Sequence, residues 1–394
     1  MLQDLDSLME KYQIDALLAT GNAFEDPNIL WLTGFRSPDT IVYLKNKGEE
    51  ALAAAALNTV DRLAKESFVK RTHDFSEVYL SILREGLHVN KNWDRLYKSV
   101  LDAEFSGKRL GVPDELRASH LMTLLGLGYD VKVVPDLLLE ARATKNPREV
   151  NTIRKAGKAT VEAMNEVVGV VRDAEVGANR VLLHKGQPLT VGRAKLVLEQ
   201  ALLDRQAESA EDAIIAVGRK GFDWHYLGRP SDRLRAGVPI IMDVFPRLKL
   251  DMYVADVTRT VVKGTPNEKV RTMYEAVVEA LGKVLDTLTD GAVIDDVNLA
   301  CFETLRRQGF GSRRLNADAK EGMTHGLGHG IGLEVHEEPS FYNREFQFSE
   351  GHVVAIEPGV YLKSVGGVRV ENDYLVTKRR PKLLTPGIEQ MLFV

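Results

Sequence analysis

Apolar positions change their period along the chain, and the changes predict its elements. Leu2, Leu5, Met9 and Tyr12 share one face of a helix, and IDALLAT then reads as a buried strand. The runs in NILWLTGF, IVYLKN and ALAAAALN predict further strands, with a helix after Thr59. RLGVP predicts a strand, ELRASHLMTLLGLG a helix stopped by glycine, and VKVVP a return to strand. Strands alternating with helices imply an α/β layer with a mixed sheet.

The pattern shifts after about residue 145. Asn146-Pro147-Arg148-Glu149 has the features of a helix start: Asn as cap, Pro in the first position and Glu in the first turn. Val150, Ile153, Ala156, Met164, Val167 and Val171 continue as its apolar face. Thr190 predicts the cap of a second helix, from residue 191 to about 206, and Pro266 opens a third near 267–288. The boundary is expected within 137–145, giving an N-terminal α/β domain (1–140) and a second domain (146–394). The second domain reads as helices packed over a curved antiparallel sheet, so the chain as a whole is α+β.

Two β-rich pairs stand out in the second domain. IIMDVFPRLKLDMYVADVTRTVV reads as a hairpin with Pro246, Lys249 and Asp251 punctuating its middle. Symmetric closure places Asp243 opposite Asp256, where facing side chains sit ~4.5–5.5 Å apart at Cβ and like charges repel. VVAIEPGVYL and GGVRVENDYLV form a second pair, with Gly366 and Gly367 in the expected turn and Glu357 facing Glu371. Between the pairs lies THGLGHGIGLEVHEEP, which threads His325, His329 and His336 among four glycines. A lone histidine is usually a core or surface residue, and an aspartate in a turn is usually solvated. Two Asp, two Glu and a His together form an oxygen-rich set with one borderline ligand, which suits Mn²⁺, Co²⁺ or Zn²⁺. Two such cations ~3.5–4 Å apart make a hydrolytic site.

Composition narrows the picture. A chain of 394 residues with 44% hydrophobic and 27% charged residues is an ordinary globular protein of two domains. The net charge of −4, with no basic run to offset it, argues against a nucleic-acid partner. The single cysteine, Cys301, excludes a disulfide within the chain and fits the reducing cytoplasm. The start MLQDLDSLMEKYQ lacks the marks of a signal peptide, and no apolar run reaches membrane-spanning length, so no membrane partner is expected. His88 and His120 have no ligand-like spacing and read as structural.

The order Asp, Asp, His, Glu, Glu, set in YVADVTRT, GHGIGLEVHE, AIEPGVY and GGVRVEND, resembles the pita-bread-fold metallopeptidase family. That family includes methionine aminopeptidase, Xaa-Pro aminopeptidase and Xaa-Pro dipeptidase (prolidase). The resemblance covers roughly residues 150–394, with a weaker likeness of the N-terminal domain to prolidases and creatinase. It implies a pita-bread catalytic domain, a creatinase-like N-terminal domain and two divalent cations per chain, Mn²⁺ or Co²⁺ ahead of Zn²⁺. The implied ligands are Asp243, Asp256, His329, Glu357 and Glu371. The implied catalytic groups are Glu357 as general base, His336 as donor to the oxyanion and His225 at the leaving nitrogen. His325 and Tyr226 would line the substrate pocket, and Arg369 would stand beside it holding a metal carboxylate. Arg259 reads as structural.

The resemblance further implies a cytoplasmic homodimer acting on small peptides, chiefly as an Xaa-Pro dipeptidase. An Xaa-Pro aminopeptidase acting on longer peptides and a non-catalytic peptide-binding member of the fold are the alternatives. Three departures bear on this. The two aspartates stand two residues further apart than is usual in the family. Ser340 stands where many prolidases carry an arginine for the substrate carboxylate, leaving Arg36 and Arg344 as substitutes. Gly330 stands where bacterial Xaa-Pro aminopeptidases carry a tryptophan, which favours the dipeptidase.

Overall fold

A computed structural model of the chain describes residues 5–394 and divides into two compact units, 1–141 and 142–394. Leu2 lies outside the described residues; Leu5 and Met9 are buried on the helix Leu5–Lys11.

The first unit is built on a six-stranded mixed sheet. Its order is Arg71–Asp74, Leu52–Ala55, Ile41–Asn46, Ala16–Gly21, Arg109–Val112 and Asp130–Val133. One expected strand is a helix: NILWLTGF folds as Pro27–Thr33. The Asp26 side chain accepts from the amides of Asn28 and Ile29, at 2.8 and 3.3 Å, and Pro27 takes the first position. Gly34, at φ 61°, ends the helix in the left-handed region and donates its amide to Leu30 O. A short apolar run has no period to distinguish strand from helix, and here the caps decide it. Two helices, Ser76–Arg84 and Trp93–Glu104, and the strand Arg71–Asp74 were not expected. That strand, RTHD, has no apolar alternation to betray it. His120 is buried, with Nδ1 2.8 Å from the Tyr97 hydroxyl; burial pushes its pKa down to about 4.

In the second unit the helix Pro147–Asp173 begins as its sequence requires. Asn146 and Glu149 form a reciprocal capping box, and Pro147 takes the first position. Thr190 caps Val191–Asp204 through the Arg193 amide. Asn267, rather than Pro266, caps Glu268–Thr287. The buried faces of Pro147–Asp173 and Val191–Asp204 share one apolar cluster with Met242, Val257 and Val261. Glu268–Thr287 and the helix Ile294–Arg307, expected around Cys301, share another with Val354, Ile356, Val360 and Val368. Each helix pair thus covers its own strands, which leaves the polar side chains of those strands to gather elsewhere. Cys301 is buried on Ile294–Arg307, its sulfur 3.7 Å from that of Met323.

One sheet is ordered Ile214–Val217, Ile240–Val244, Val257–Val262 and Leu392–Phe393; a five-stranded sheet carries Gly328–Gly330, Val353–Ile356 and Asn372–Leu375 at its centre. The first hairpin does not close symmetrically. Asp243 pairs with Thr258, not Asp256, and Val244 pairs with Val257. Its middle is not a simple turn, because Pro246–Leu248 leaves to pair with Ala207–Ser209. In the second pair, the ladders on either side share one register: Ile356 faces Asn372 and Gly359 faces Arg369. That register sets Glu357 opposite Glu371. Gly366 and Gly367 lie in the strand Gly366–Arg369 rather than in the turn. A Cβ on Gly366 would meet Gly218 O at 2.0 Å, and its φ is 116°, so only glycine lets this strand pass so close.

Arg259 fastens the two sheets together. Its buried guanidinium donates to Thr258 O (2.8 Å), Glu371 O (2.7 Å) and Asn372 Oδ1 (2.7 Å). Lys378, Arg379 and Arg380 are exposed beside one another, so the chain does carry one short basic run. Among the described residues no helix is long and apolar enough to cross a membrane.

Candidate metal centre

Asp243 sits in the Ile240–Val244 strand, Asp256 just before Val257–Val262, and His329 in Gly328–Gly330. Glu357 follows Val353–Ile356, and Glu371 precedes Asn372–Leu375. Asp256, His329 and Glu371 each offer a ligand atom, all within 4.8 Å of one another, and all three residues are buried. His329 Nε2 lies 3.6 Å from Glu371 Oε1 and 3.8 Å from Asp256 Oδ2. Its Nδ1 lies 3.1 Å from Gly330 O, which leaves Nε2 turned toward the carboxylates.

Asp243 joins this cluster through Thr258. The Thr258 hydroxyl is 2.7 Å from Asp243 Oδ1 and 2.6 Å from Glu371 Oε2. A hydroxyl has one proton, so it can satisfy only one of the two carboxylates at a time. Asp243 Oδ2 is paired with Arg369, whose guanidinium also donates to the Tyr361 hydroxyl at 3.0 Å. The Glu357 amide donates to Leu327 O, and its Oε2 lies 3.6 Å from His325 Nδ1.

Burying four carboxylates together is costly, and their proton affinities record it. Burial, then repulsion from Glu371 and Asp243, raises Asp256 well above the carboxylate range. Burial and Glu371 lift Glu357 to about 8, against the pull of Arg369 and His329. Burial raises Asp243 too, although Arg369 opposes it. Glu371 is lowered: burial works against its charge, but His329, Arg369 and Thr258 outweigh it. Burial also disfavours a charged His329, yet Glu371 and Glu357 hold it up to about 9. One oxygen, Asp256 Oδ1, is buried with no hydrogen-bond partner. Hard oxygen donors, one imidazole and an unpartnered carboxylate oxygen fit divalent cations.

The other expected site residues divide. His325 is held here: Nε2 lies 3.0 Å from the Tyr361 hydroxyl and Nδ1 2.7 Å from Gly326 O, and burial keeps it neutral, near 3. The His336 ring centroid is 4.3 Å from that of His329. His225 is exposed, its ring against Trp224, which in turn lies 5.7 Å from His325. Tyr226 packs with Trp224 and Tyr361, but its hydroxyl is committed to Asp232 at 2.7 Å. Arg369 is buried against Asp243, Thr258 and Tyr361, so its guanidinium is turned to the acidic cluster. Arg344 is exposed, and Ser340 faces His329 in register. Arg36 belongs to the first unit, its guanidinium 4.4 Å from the Phe24 ring centroid.

Two residues here escaped the sequence reading. Thr258 faces Asp243 only because of the shifted register. Asp373 is fully buried and accepts the Asp256 amide at 3.0 Å. Its signal was its position two residues after Glu371, which puts both side chains on one face of the strand.

Comparison with known proteins agrees with this geometry. The pattern of metallopeptidase family M24 matches residues 151–378. The Xaa-Pro dipeptidase of Pyrococcus horikoshii is 29% identical over 393 residues, covering 98% of this chain and 96% of its own. That of Pyrococcus furiosus is 32% identical over 311 residues, covering 77% and 79%. The crystal structure of the Pyrococcus horikoshii prolidase matches with a TM-score of 0.78 at 26% identity, covering 99% of each chain. The expected α+β architecture, a pita-bread fold with a creatinase-like N-terminal part, is borne out across the chain.

Proposed function

The chain belongs to metallopeptidase family M24, and on that premise we propose that it hydrolyses the bond before proline, chiefly in Xaa-Pro dipeptides. The observation that carries the reading is the buried cluster of Asp256, His329 and Glu371, with Asp243 tied in through Thr258. Similarity along nearly the full length to an Xaa-Pro dipeptidase supports the dipeptide preference. An Xaa-Pro aminopeptidase acting on longer peptides is the second reading, favoured by Ser340, which brings no charge to a substrate carboxylate. Residues 1–140 are assigned to a creatinase-like domain and 146–394 to the catalytic domain.

In this reading Asp243, Asp256 and Glu371 would hold the cations, with His329 and Glu357 completing the ligand set. Such cations, Mn²⁺ or Co²⁺, supply Lewis-acid polarisation and make water acidic enough to attack near neutral pH. Glu357 takes the proton of the attacking water and passes it to the leaving nitrogen. His336 donates to the oxyanion as the carbonyl becomes tetrahedral. His225 contacts the leaving nitrogen of proline. His325, kept neutral and oriented by Tyr361, lines the pocket, and Arg369 fixes the Asp243 carboxylate. Proline's imide nitrogen carries no N–H, so recognition falls on the carbonyl and the ring. Arg36 or Arg344 is assigned to the substrate carboxylate, and Tyr226 to the pocket wall. The enzyme is taken as a homodimer, by its family resemblance, and as cytoplasmic, in keeping with its single, buried cysteine.

The deciding experiment compares Xaa-Pro, Xaa-Pro-Xaa and Met-Ala-Xaa peptides with Mn²⁺, Co²⁺ and Zn²⁺. Fastest turnover of Xaa-Pro is expected. Preference for the tripeptide would shift the reading to an aminopeptidase, and no turnover of any peptide would remove it.

A further inference from the structure

We infer that Glu337, clamped by Arg142 and Lys145, is a positioning residue that aims His336 into the site; this rests on the role given to His336 above. Glu337 is buried, as are Arg142 and Lys145. Its Oε1 accepts from the amides of Leu333 (2.7 Å) and Glu334 (3.0 Å) and from Arg142. Its Oε2 accepts from Lys145 at 2.9 Å. Arg142 also donates to Glu334 Oε2 at 2.8 Å. The carboxylate therefore closes the 333–337 turn on itself and ties both of its ends to residues nearly two hundred positions away.

Three further observations make this more than an ordinary ion pair. A Cβ on Gly332 would lie 2.5 Å from Glu337 Oε2, so the glycine vacates the space that the carboxylate fills. The Gly332 carbonyl accepts the Val254 amide at 2.8 Å, which docks the turn beside the chain leading to Asp256. Glu337 opens the strand Glu337–Ser340, facing Gly330. His336 ends the bend that leads into this strand, so holding Glu337 inward fixes the direction in which His336 projects. That direction brings its ring to 4.3 Å from the His329 ring. His336 itself is exposed, and among the described residues no hydrogen bond holds its imidazole; its aim comes from its neighbour. Only a carboxylate can accept from all four donors, since an amide would turn an N–H toward either Lys145 or the two backbone amides.

The test uses the full-length, metal-loaded chain and an Xaa-Pro dipeptide. Glu337→Gln is expected to lower kcat about 10–100-fold, the effect of misplacing one oxyanion donor, with KM and metal stoichiometry little changed. The double variant Glu337→Gln/His336→Ala should be no slower than His336→Ala alone. Losses that multiply in the double variant would overturn the inference. If Glu337→Gln does not fold, Lys145→Met gives a milder loss in the same direction and Lys145→Arg restores it. Magnetic resonance of ¹⁵N-histidine-labelled, metal-free protein tests the geometry without activity. The His336 ring signals should move in Glu337→Gln while those of His120 stay. Unmoved His336 signals would refute the positioning role even if turnover fell. A fully active His336→Ala would instead refute the role of His336, and the ring signals would still decide the positioning.

Discussion

Asp373 accepts the backbone amide of Asp256 at 3.0 Å across 117 positions of sequence. It helps to fix where the Asp256 carboxylate enters the cluster, and it carries no ligand role itself. Partners of this kind change metal affinity by about 10–100-fold when removed. Asp373→Leu is therefore expected to weaken Mn²⁺ binding by that factor, measured calorimetrically. Asp373→Asn retains an acceptor for the amide and should lose far less.

Removing either His329 or Glu357 should abolish metal-dependent hydrolysis. A group that moves the proton contributes about 10²–10⁴-fold by itself, and loss of a ligand adds to that. Full activity in Glu357→Ala or His329→Ala, assayed with saturating Mn²⁺, would mean that the site has been misassigned.

The metal-free protein should become less stable as pH rises from about 7 to 9, above the range in which the depressed His120, His325, His336 and His352 act in the opposite direction. Glu357 is lifted to about 8 and His329 to about 9. Groups whose folded pKa is raised bind more protons folded than unfolded in that window, so stability falls with rising pH. Asp243 and Asp256, also raised, act in the same direction. Melting temperatures at pH 7 and pH 9 check this, and the expected order is higher at pH 7. Added Mn²⁺ should remove most of the difference, because cations take over the task of neutralising the cluster. At about a hundred times its Kd the metal adds about 2.7 kcal/mol.

Asn146→Ala removes half of a capping box whose two hydrogen-bond acceptors, Asn146 and Glu149, satisfy each other's backbone amides. The expected loss is about 1 kcal/mol, read from denaturant unfolding of the chain. A loss within experimental error would show that the 27-residue helix is held by its buried face alone.

Much of the site was legible because its residues lie in local signals. Asp243, Asp256, Glu357 and Glu371 stand in β-rich runs, and the glycines around His329 announce close approach. What could not be read was which side chain faces which. Arg369 and Asp243 are 126 positions apart, yet the arginine is buried on that aspartate, and Tyr226 turned out to be engaged with Asp232. Partner choice of this sort depends on packing, which no local pattern encodes.

Helix starts at Asn146 and Thr190, the order of the acidic residues and the face each presents were settled by the chain itself, since caps and alternation act over a few residues. Register was not. A slip of two residues leaves every side chain on its own face, so the pattern 240–262 is equally content with Asp256 or Thr258 across from Asp243. Only the packed sheets chose Thr258, and with it the hydroxyl shared between Asp243 and Glu371.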